Sequence, residues 1–600
     1  MLQFHLEEMN QKLQHRGPDA SGTYLHNATG LGHVRLKIID LSASANQPFH
    51  SEDGRFTMIY NGEVYNFEEL KKRHQLPCRT QSDTEVILRL FEKVGTDVFS
   101  LLNGMFALAI YDHRNASVTL ARDRMGKKPL FYYQKGDQVA FSSELNALKA
   151  VPELKKKLTV NPHAIRNFLH LGYIPHPLSI YKEIEKFPAG HFGIIHNGKM
   201  SVSAFWDLAQ EIHKEVSYSE TAASEKLDEL LNDSVRIRLK SDVPFGTFLS
   251  GGIDSSLITA LAQKNHSETV RSYAIGFKEK THNEAIYAKA VAKELKTIHT
   301  EFTVSEKEAL QLVPKMLSAY GEPYGDSSAI PSLMVAALAS KEVKMVLSGD
   351  GGDELFMGYG FYNWAERLNH PVARLLRYPI SKGLQLGNER MNRAGKLFEY
   401  PNERLKSHVF SQEQYYFSEA EVDQLLLEKS DILRALNEEP KCASVLSARE
   451  KQSLFDLYYY LPDDLLTKVD IASMQSSLEV RVPLLDYRVV QFALNLEEHH
   501  KIKGGDQKYI LKKLLYQYLP SQLFDRPKQG FSIPLAKWLR GDLSYLIKDY
   551  LAKEVIENCG LVDYKEVEKI LNRFRNGTDY YYTRVWALVV LHHWFLHHEK

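Results

Sequence analysis

Two short apolar runs, Phe245-Gly246-Thr247-Phe248-Leu249 and Val343-Lys344-Met345-Val346-Leu347, each empty into a turn of small and acidic residues. The first turn is Ser250-Gly251-Gly252-Ile253-Asp254-Ser255-Ser256, followed by an apolar helical stretch over 257–263. The second is Ser348-Gly349-Asp350-Gly351-Gly352-Asp353-Glu354. A strand that ends in such a turn and runs on into helical periodicity is half of a βαβ unit, and a chain that repeats the unit builds a parallel sheet. A further run, Ser272-Tyr273-Ala274-Ile275-Gly276-Phe277, and helical patterns over 221–240 and 283–296 extend the alternation. Both turns then sit at carboxyl ends of strands, where open α/β sheets hold ligands in a crevice.

The residue types say which ligand. Glycines let the backbone pass close to an anion, while successive N–H groups and a helix N-terminus supply partial positive charge. The serines add hydroxyl donors, and Asp254 could hold a Mg²⁺ bridging phosphate oxygens. Taken alone, Gly-Gly before Asp-Ser is also ordinary turn and N-cap chemistry, and the second turn could be a solvated acidic loop. The pair in one sheet favours the crevice, because carboxylates beside phosphates make sense once a metal neutralises both. A rival phosphate motif, Gly193-Ile194-Ile195-His196-Asn197-Gly198-Lys199, fails: Met200 replaces the required hydroxyl residue, and the segment reads as a hairpin.

The first 200 or so residues read as β-rich instead. Phe56–Tyr60, Met105–Tyr111 and Ser117–Ala121 are apolar or β-branched, with turn chemistry at Asn61-Gly62, at 112–115 and at 135–137. Asp83 to Phe91 reads as a capped helix and Asn197-Gly198 as a hairpin turn. Beyond residue 360 the pattern is mostly helical, with no repeat or low-complexity tract.

Lys+Arg and Asp+Glu both total 75, so bulk charge gives no support for a nucleic-acid or acidic-membrane binder, although a local basic patch escapes such a count. Three cysteines form no disulfide framework and no zinc pair. Without an apolar run of membrane-spanning length or a leader pattern, the expected setting is cytoplasmic. His593 and His597 share a helix face, but they lack acidic or thiol company and read as part of an amphipathic helix.

The turn 250–256 resembles the pyrophosphate-binding motif of the ATP-pyrophosphatase synthetases. Together with 348–354 it is similar to the glutamine-hydrolysing asparagine synthetase family, and the resemblance covers nearly the whole chain. Arg16-Gly17-Pro18-Asp19, Arg35, Asn61-Gly62-Glu63-Val64-Tyr65-Asn66 and Ser82-Asp83 resemble that family's class II glutaminase domain. Thr467-Lys468-Val469-Asp470, Glu479 through Asp486, and Lys508 fall in the family's order in the second half.

The resemblance implies an N-terminal antiparallel β-sandwich flanked by helices, of Ntn-hydrolase type, over 1–210. A parallel-sheet adenylating domain with a helical C-terminal part follows over 217–600. It implies that Arg35, Asn61, Gly62, Glu63 and Asp83 hold glutamine. Leu249, Ser250, Gly251, Gly252, Asp254, Ser255, Ser256, Ile275, Ser348 and Gly349 would hold ATP and its pyrophosphate, with Mg²⁺ on Asp254 and Asp353. Asp350 would lie near the acyl-adenylate, and Lys508 would neutralise the reacting phosphorus centre. The implied reaction adenylates aspartate and amidates it with ammonia. The same architecture could serve another carboxylate, such as a sugar acid in surface-polysaccharide synthesis. Small-molecule substrates are expected, with no nucleic acid and no membrane as partner; a homodimer is left open. A nucleotide-sensing pseudoenzyme is disfavoured by the complete adenylation set, and an RNA-modifying relative by the absence of a basic or zinc-ribbon module.

One departure stands out. Family glutaminases begin Met-Cys-Gly, whereas this sequence begins Met1-Leu2-Gln3, and residues 6–15 resemble the helix just before the Arg-Gly-Pro-Asp motif. No glutaminase nucleophile is therefore expected within the sequence as written. A start site upstream is the favoured explanation, and an ammonia-using variant is the other. Cys78 is no substitute, because it lies far along the chain and cannot lend an α-amine.

Overall fold

The computed structural model describes residues 2–214, 216–277, 285–387, 389–398, 416–438, 441–526 and 533–598. In the N-terminal part, a six-stranded antiparallel sheet runs in the order Lys199–Ala204, His191–His196, Ser117–Arg122, Gly104–Asp112, Phe56–Val64, Phe49–His50. An antiparallel ribbon, Ala20–His26 with Thr29–Arg35, and a three-stranded sheet centred on Phe131–Lys135 complete it. The expected helix is present at Asp83–Val94, with the Ser82 hydroxyl capping the Thr84 amide. The rejected phosphate motif is a hairpin, as its sequence suggests.

One sequence expectation is corrected. Asn61-Gly62 is not a turn: both residues lie inside the strand Phe56–Val64, paired with Ala107 and Phe106. The cause is the neighbour. A β-carbon on Gly62 would sit 2.0 Å from the Met105 carbonyl oxygen, so glycine serves close strand approach here rather than chain reversal.

The C-terminal part holds a five-stranded, wholly parallel sheet in the order Ile298–Val304, Arg271–Phe277, Phe245–Phe248, Met345–Leu347, Glu479–Arg481. In chain order that is third, second, first, fourth, fifth. The order reverses between Phe245–Phe248 and Met345–Leu347, which pair directly, so the two turns singled out in the sequence leave the two strands that flank the switch point. Helix Ile253–Lys264 supplies the first crossover and Ala285–Leu295 the second, while Glu220–Arg238 precedes the first strand. The second half of the domain is helical and ends in Tyr582–His598. There His592 is fully buried and bonds the Leu588 carbonyl, while His593 and His597 stack at 4.2 Å, which is packing rather than ligation.

Buried ions join the two halves. Arg16 and Lys128 both reach Asp470, at 2.7 and 3.1 Å. Arg481, with no exposed surface, binds Glu479 at 2.8 Å and Glu63 at 3.0 Å. Arg238 is equally buried, 2.8 Å from Asp486, and both guanidinium groups lie over the Tyr65 ring. Asn103 donates to Asp486 from the N-terminal side. Thus the Asn-Gly-Glu-Val-Tyr-Asn segment of the first half and the Glu-Val-Arg-Val-Pro segment of the second meet each other.

Removing one member of such a pair strands its partner in low dielectric. Arg238→Met is expected to cost about 3–5 kcal/mol in urea unfolding at neutral pH. Arg238 and Arg488 hold the Asp486 carboxyl well below the usual carboxylate range against the penalty of burial. Its contribution is therefore complete above about pH 4, the unfolded value, and fades as acid protonates it. The stability of Arg238→Met should fall less steeply below about pH 4 than that of the wild type.

Candidate functional site

Two cavities border this seam. The first, about 840 Å³, lies in the N-terminal part and reaches Lys128 and Glu479 at its inner end. Arg35, Asn61, Gly62, Glu63 and Asp83 all line it. The Asp83 carboxylate accepts from the Tyr60 hydroxyl at 2.8 Å and the Val64 amide at 2.9 Å, and burial raises its pKa. Glu63 is raised well above the usual range by burial and by Asp83, against the pull of Arg481. Its Oε1 is buried without a hydrogen-bond partner among the described residues, an acceptor that an ammonium group would satisfy. Asn61 donates to the Ser143 hydroxyl at 3.1 Å.

Arg35 behaves differently from its expected role as a carboxylate clamp. Its Nη1 donates to Ser42 O and Asn46 Oδ1, and its Nη2 to Ile39 O and Asp40 O, so the four terminal N–H groups hold the following loop. Cys78 is outside the lining of this cavity, and burial raises its thiol pKa, as expected of a non-reactive thiol.

The second cavity, about 810 Å³, opens at the switch point of the parallel sheet. Leu249, Ser250, Gly251, Gly252, Asp254, Ser255, Ile275, Ser348, Gly349, Asp350, Asp353 and Lys508 line it. Ser256 does not: it is fully buried one turn into the helix, and its hydroxyl has no partner among the described residues. Helical periodicity explains this, since Asp254 and Ser256 cannot share a face.

Close approach fixes the loop geometry. The hydroxyls of Ser250 and Ser255 are 2.9 Å apart, and Ser250 Oγ accepts from the Gly252 amide at 3.2 Å. A β-carbon on Gly349 would lie 2.6 Å from the Ser255 amide nitrogen, and one on Gly352 would lie 2.5 Å from Asp254 Cγ. The two turns therefore touch through glycines. Lys508 completes the site, its ammonium bound to Asp254 and, at 2.7 Å, to Asp353. Burial alone would lower its pKa, but the two carboxylates override burial and hold it above the ordinary lysine value. Gly358 leaves the space for this side chain, since a β-carbon there would strike Lys508 Cε.

Several other groups line this cavity, and most of them carry no site signature in the sequence. The segment Asp456–Leu466 is a π-helix with Pro462 inside it, and it turns Asp456, Tyr460 and Asp464 into the cavity. Burial, reinforced by Asp326, lifts the Asp464 carboxyl to about 7, and burial, reinforced by Asp353, lifts Glu354 to about 7. Lys468 bonds Asp326 at 2.7 Å, and Arg526 donates to the Gly251 carbonyl at 3.0 Å while stacking on Tyr287. Glu354 belongs to the acidic turn and Lys468 to the Thr-Lys-Val-Asp segment, whereas Asp456, Tyr460, Asp464 and Arg526 show no local motif, and their distance along the chain from the two turns hides them.

A single partition separates the cavities. On the helix Thr467–Met474, Met474 faces the first, whereas Lys468, Val469, Ala472 and Ser473 face the second. In the adjoining strand Glu479 borders the first and Val480 the second.

Comparison with known proteins matches this division. The asparagine synthase family model matches residues 226–596, and a glutamine amidotransferase domain model matches residues 2–206. A putative glutamine-hydrolyzing asparagine synthetase of Methanocaldococcus jannaschii is 34% identical over 80% of this chain and 97% of its own length. A glutamine-hydrolyzing asparagine synthetase of Bacillus subtilis is 30% identical over 92% of this chain and 90% of its own length. The amidase chry2 of Gibberella zeae is 26% identical over 94% of this chain and 90% of its own.

The glycine contacts are directly testable. Gly349→Ala must push the turns apart, at an overpacking cost of about 1–3 kcal/mol in chemical denaturation. Triphosphate affinity, read by equilibrium dialysis, should fall with it by roughly tenfold or more.

Proposed function

We propose a reaction for this chain from one premise: it belongs to the asparagine synthase family, with a glutamine amidotransferase domain ahead of the synthase domain. Members of that family are ATP-dependent ligases that form C–N bonds, and this chain is one. The proposal concerns the acceptor and the residues. The acceptor is the side-chain carboxylate of aspartate, which becomes an acyl-adenylate and then asparagine.

A carboxylate is a poor acyl donor, so its oxygen must first become a leaving group. In the second cavity the triphosphate would lie along the turn 250–255, its terminal phosphates against backbone N–H groups, the hydroxyls of Ser250 and Ser255, and the N-terminus of the helix Ile253–Lys264. The aspartate carboxylate attacks the α-phosphorus, the bond to the bridging oxygen breaks, and pyrophosphate leaves. The charge that develops on it is met by Lys508, already poised between the turns. Asp254 and Asp353 offer hard oxygen donors on the same side, a set that fits Mg²⁺; when bound, the ion supplies charge neutralisation of the phosphates. Ammonia then attacks the acyl carbon, AMP departs, and the proton released passes to Asp350, whose carboxylate is held by the Ser348 hydroxyl at 2.7 Å.

In the first cavity, Glu63 and Asp83 would take the ammonium of glutamine, with Asn61 and the Gly62 backbone beside them and Arg35 shaping the loop. Breaking the glutamine amide needs a nucleophile that the sequence as written does not supply, so the nitrogen donor for this sequence is free ammonia. Ammonia set free in the first cavity by a family member that carries the N-terminal cysteine would cross at the partition, past the positions of Ala472 and Ser473.

The observation that carries this reading is the convergence of Asp254, Asp353 and Lys508 on the rim between two touching turns. ATP–pyrophosphate exchange tests it. Exchange should depend on aspartate, and AMP should be the nucleotide product when ammonium is supplied. Lys508→Met should lower the exchange rate by roughly 10²–10³-fold. Exchange with a sugar acid but not with aspartate would move the proposal to that acceptor. Release of ADP alone would refute adenylation.

A further inference from the structure

The balanced totals of 75 and 75 conceal one uneven stretch. Between Glu366 and Glu389 there is no acidic residue, while Arg367, Arg374, Arg377 and Lys382 all fall there. The same stretch concentrates exposed apolar surface. Of the 18 large apolar side chains left exposed among the described residues, six lie within 372–391: Val372, Leu375, Leu376, Tyr378, Leu386 and Met391. Leu386 is 91% exposed and Leu375 83%, values at which a side chain projects from the surface rather than lining a groove.

The helices explain the arrangement. Arg377–Gln385 buries Ser381 and packs Ile380 and Leu384 against a small core with Met357, Phe361 and Leu397. Its other face carries the exposed Tyr378 and Lys382, and it is flanked by exposed Leu375, the last residue of the helix Pro371–Leu375, and by exposed Leu386 just past its own end. Apolar side chains of the arm thus lie on its exposed side as well as its packed one, although an ordinary surface helix is apolar on only one. Lys382 lies over the Tyr378 ring at 5.6 Å, so the cation is held within the apolar stripe.

We propose that the helical arm over 371–387 is a docking surface for an anionic phospholipid bilayer, which it enters peripherally. Charge complementarity selects that partner: a stretch with basic residues and no acidic residue of its own meets lipid phosphates, with Arg374 and Lys382 as its cations toward the bilayer, and projecting Leu375, Tyr378 and Leu386 enter the acyl boundary. A folded protein partner would need complementary pockets for each projecting side chain, whereas a fluid bilayer accommodates them singly. No helix among the described residues is long and apolar enough to cross a membrane, so the contact is with the surface. The arm grows from the acidic turn of the second cavity through Tyr359 and Phe361, both of which line that cavity, so binding would orient the cavity relative to the bilayer. A local basic patch of this kind escapes the balanced charge totals of the whole chain.

Sedimentation of the full chain with vesicles tests the proposal. Binding is expected to vesicles of phosphatidylcholine mixed with phosphatidylglycerol, to be weak on phosphatidylcholine alone, and to fall as salt screens the charges. Leu375→Asp with Leu386→Asp should reduce the partition coefficient at least tenfold. Arg374→Glu with Lys382→Glu should reduce it by roughly thirty-fold or more, at about fivefold per cation lost. Both double variants should keep the melting temperature and the ATP–pyrophosphate exchange rate of the wild type. The proposal is overturned if the wild type does not sediment with anionic vesicles, or if both variants bind as the wild type does. It is equally overturned if the wild type ignores vesicles and sediments as a dimer that Leu375→Asp with Leu386→Asp dissociates, which would make the arm an interface between copies.

Discussion

Everything in the synthase half is arranged around two backbone turns that touch. Gly349 and Gly352 bring the acidic turn against Asp254 and the Ser255 amide at distances no side chain could share. The sheet order makes that contact possible, because the strands Phe245–Phe248 and Met345–Leu347 are hydrogen-bonded neighbours and their crossovers lead away on opposite sides. Once the turns touch, Asp254 and Asp353 face each other and repel. The ammonium of Lys508 offsets that repulsion and in the same position serves as a counter-charge for a leaving phosphate. Fold geometry and chemistry are one constraint here.

The seam between the two halves obeys a similar economy. Charged residues are normally kept at the surface, yet Arg238 and Arg481 are fully buried, each paired with carboxylates at fixed positions. Buried ion pairs seldom add net stability over well-packed apolar groups. Their value lies in defining register: Glu63 at the wall of the first cavity is tied to Arg481, one residue from Val480 at the wall of the second. A small rotation of one half on the other would break several such pairs at once, so the two cavities keep a fixed relation across the helix Thr467–Met474.

Much of this was legible in the sequence, for identifiable reasons. The strands Phe245–Phe248 and Arg271–Phe277 announce themselves because buried parallel strands are continuous apolar runs, and the turns because Gly, Ser and Asp concentrate where backbone must bend around a ligand. Asn61-Gly62 misled because the same dipeptide that favours a turn also fits a strand whose neighbour comes too close for any β-carbon. Arg35 could be named from its motif, but the loop carbonyls that occupy its donors could not. Asp464, Arg526 and Gly358 carry no local signature at all; only the packed fold brings them to the cavity. The basic, apolar arm was masked by the balanced totals, which average over the whole chain.

The most direct measurement follows oxygen. When aspartate bearing heavy oxygen in its side-chain carboxyl is incubated with ATP, ammonium and the enzyme, the account predicts that the AMP formed carries one labelled phosphate oxygen. The pyrophosphate should carry none, because the carboxylate oxygen bonds to the α-phosphorus and leaves with it. Label in orthophosphate beside ADP, or asparagine formed with unlabelled AMP, would contradict an acyl-adenylate between the two turns.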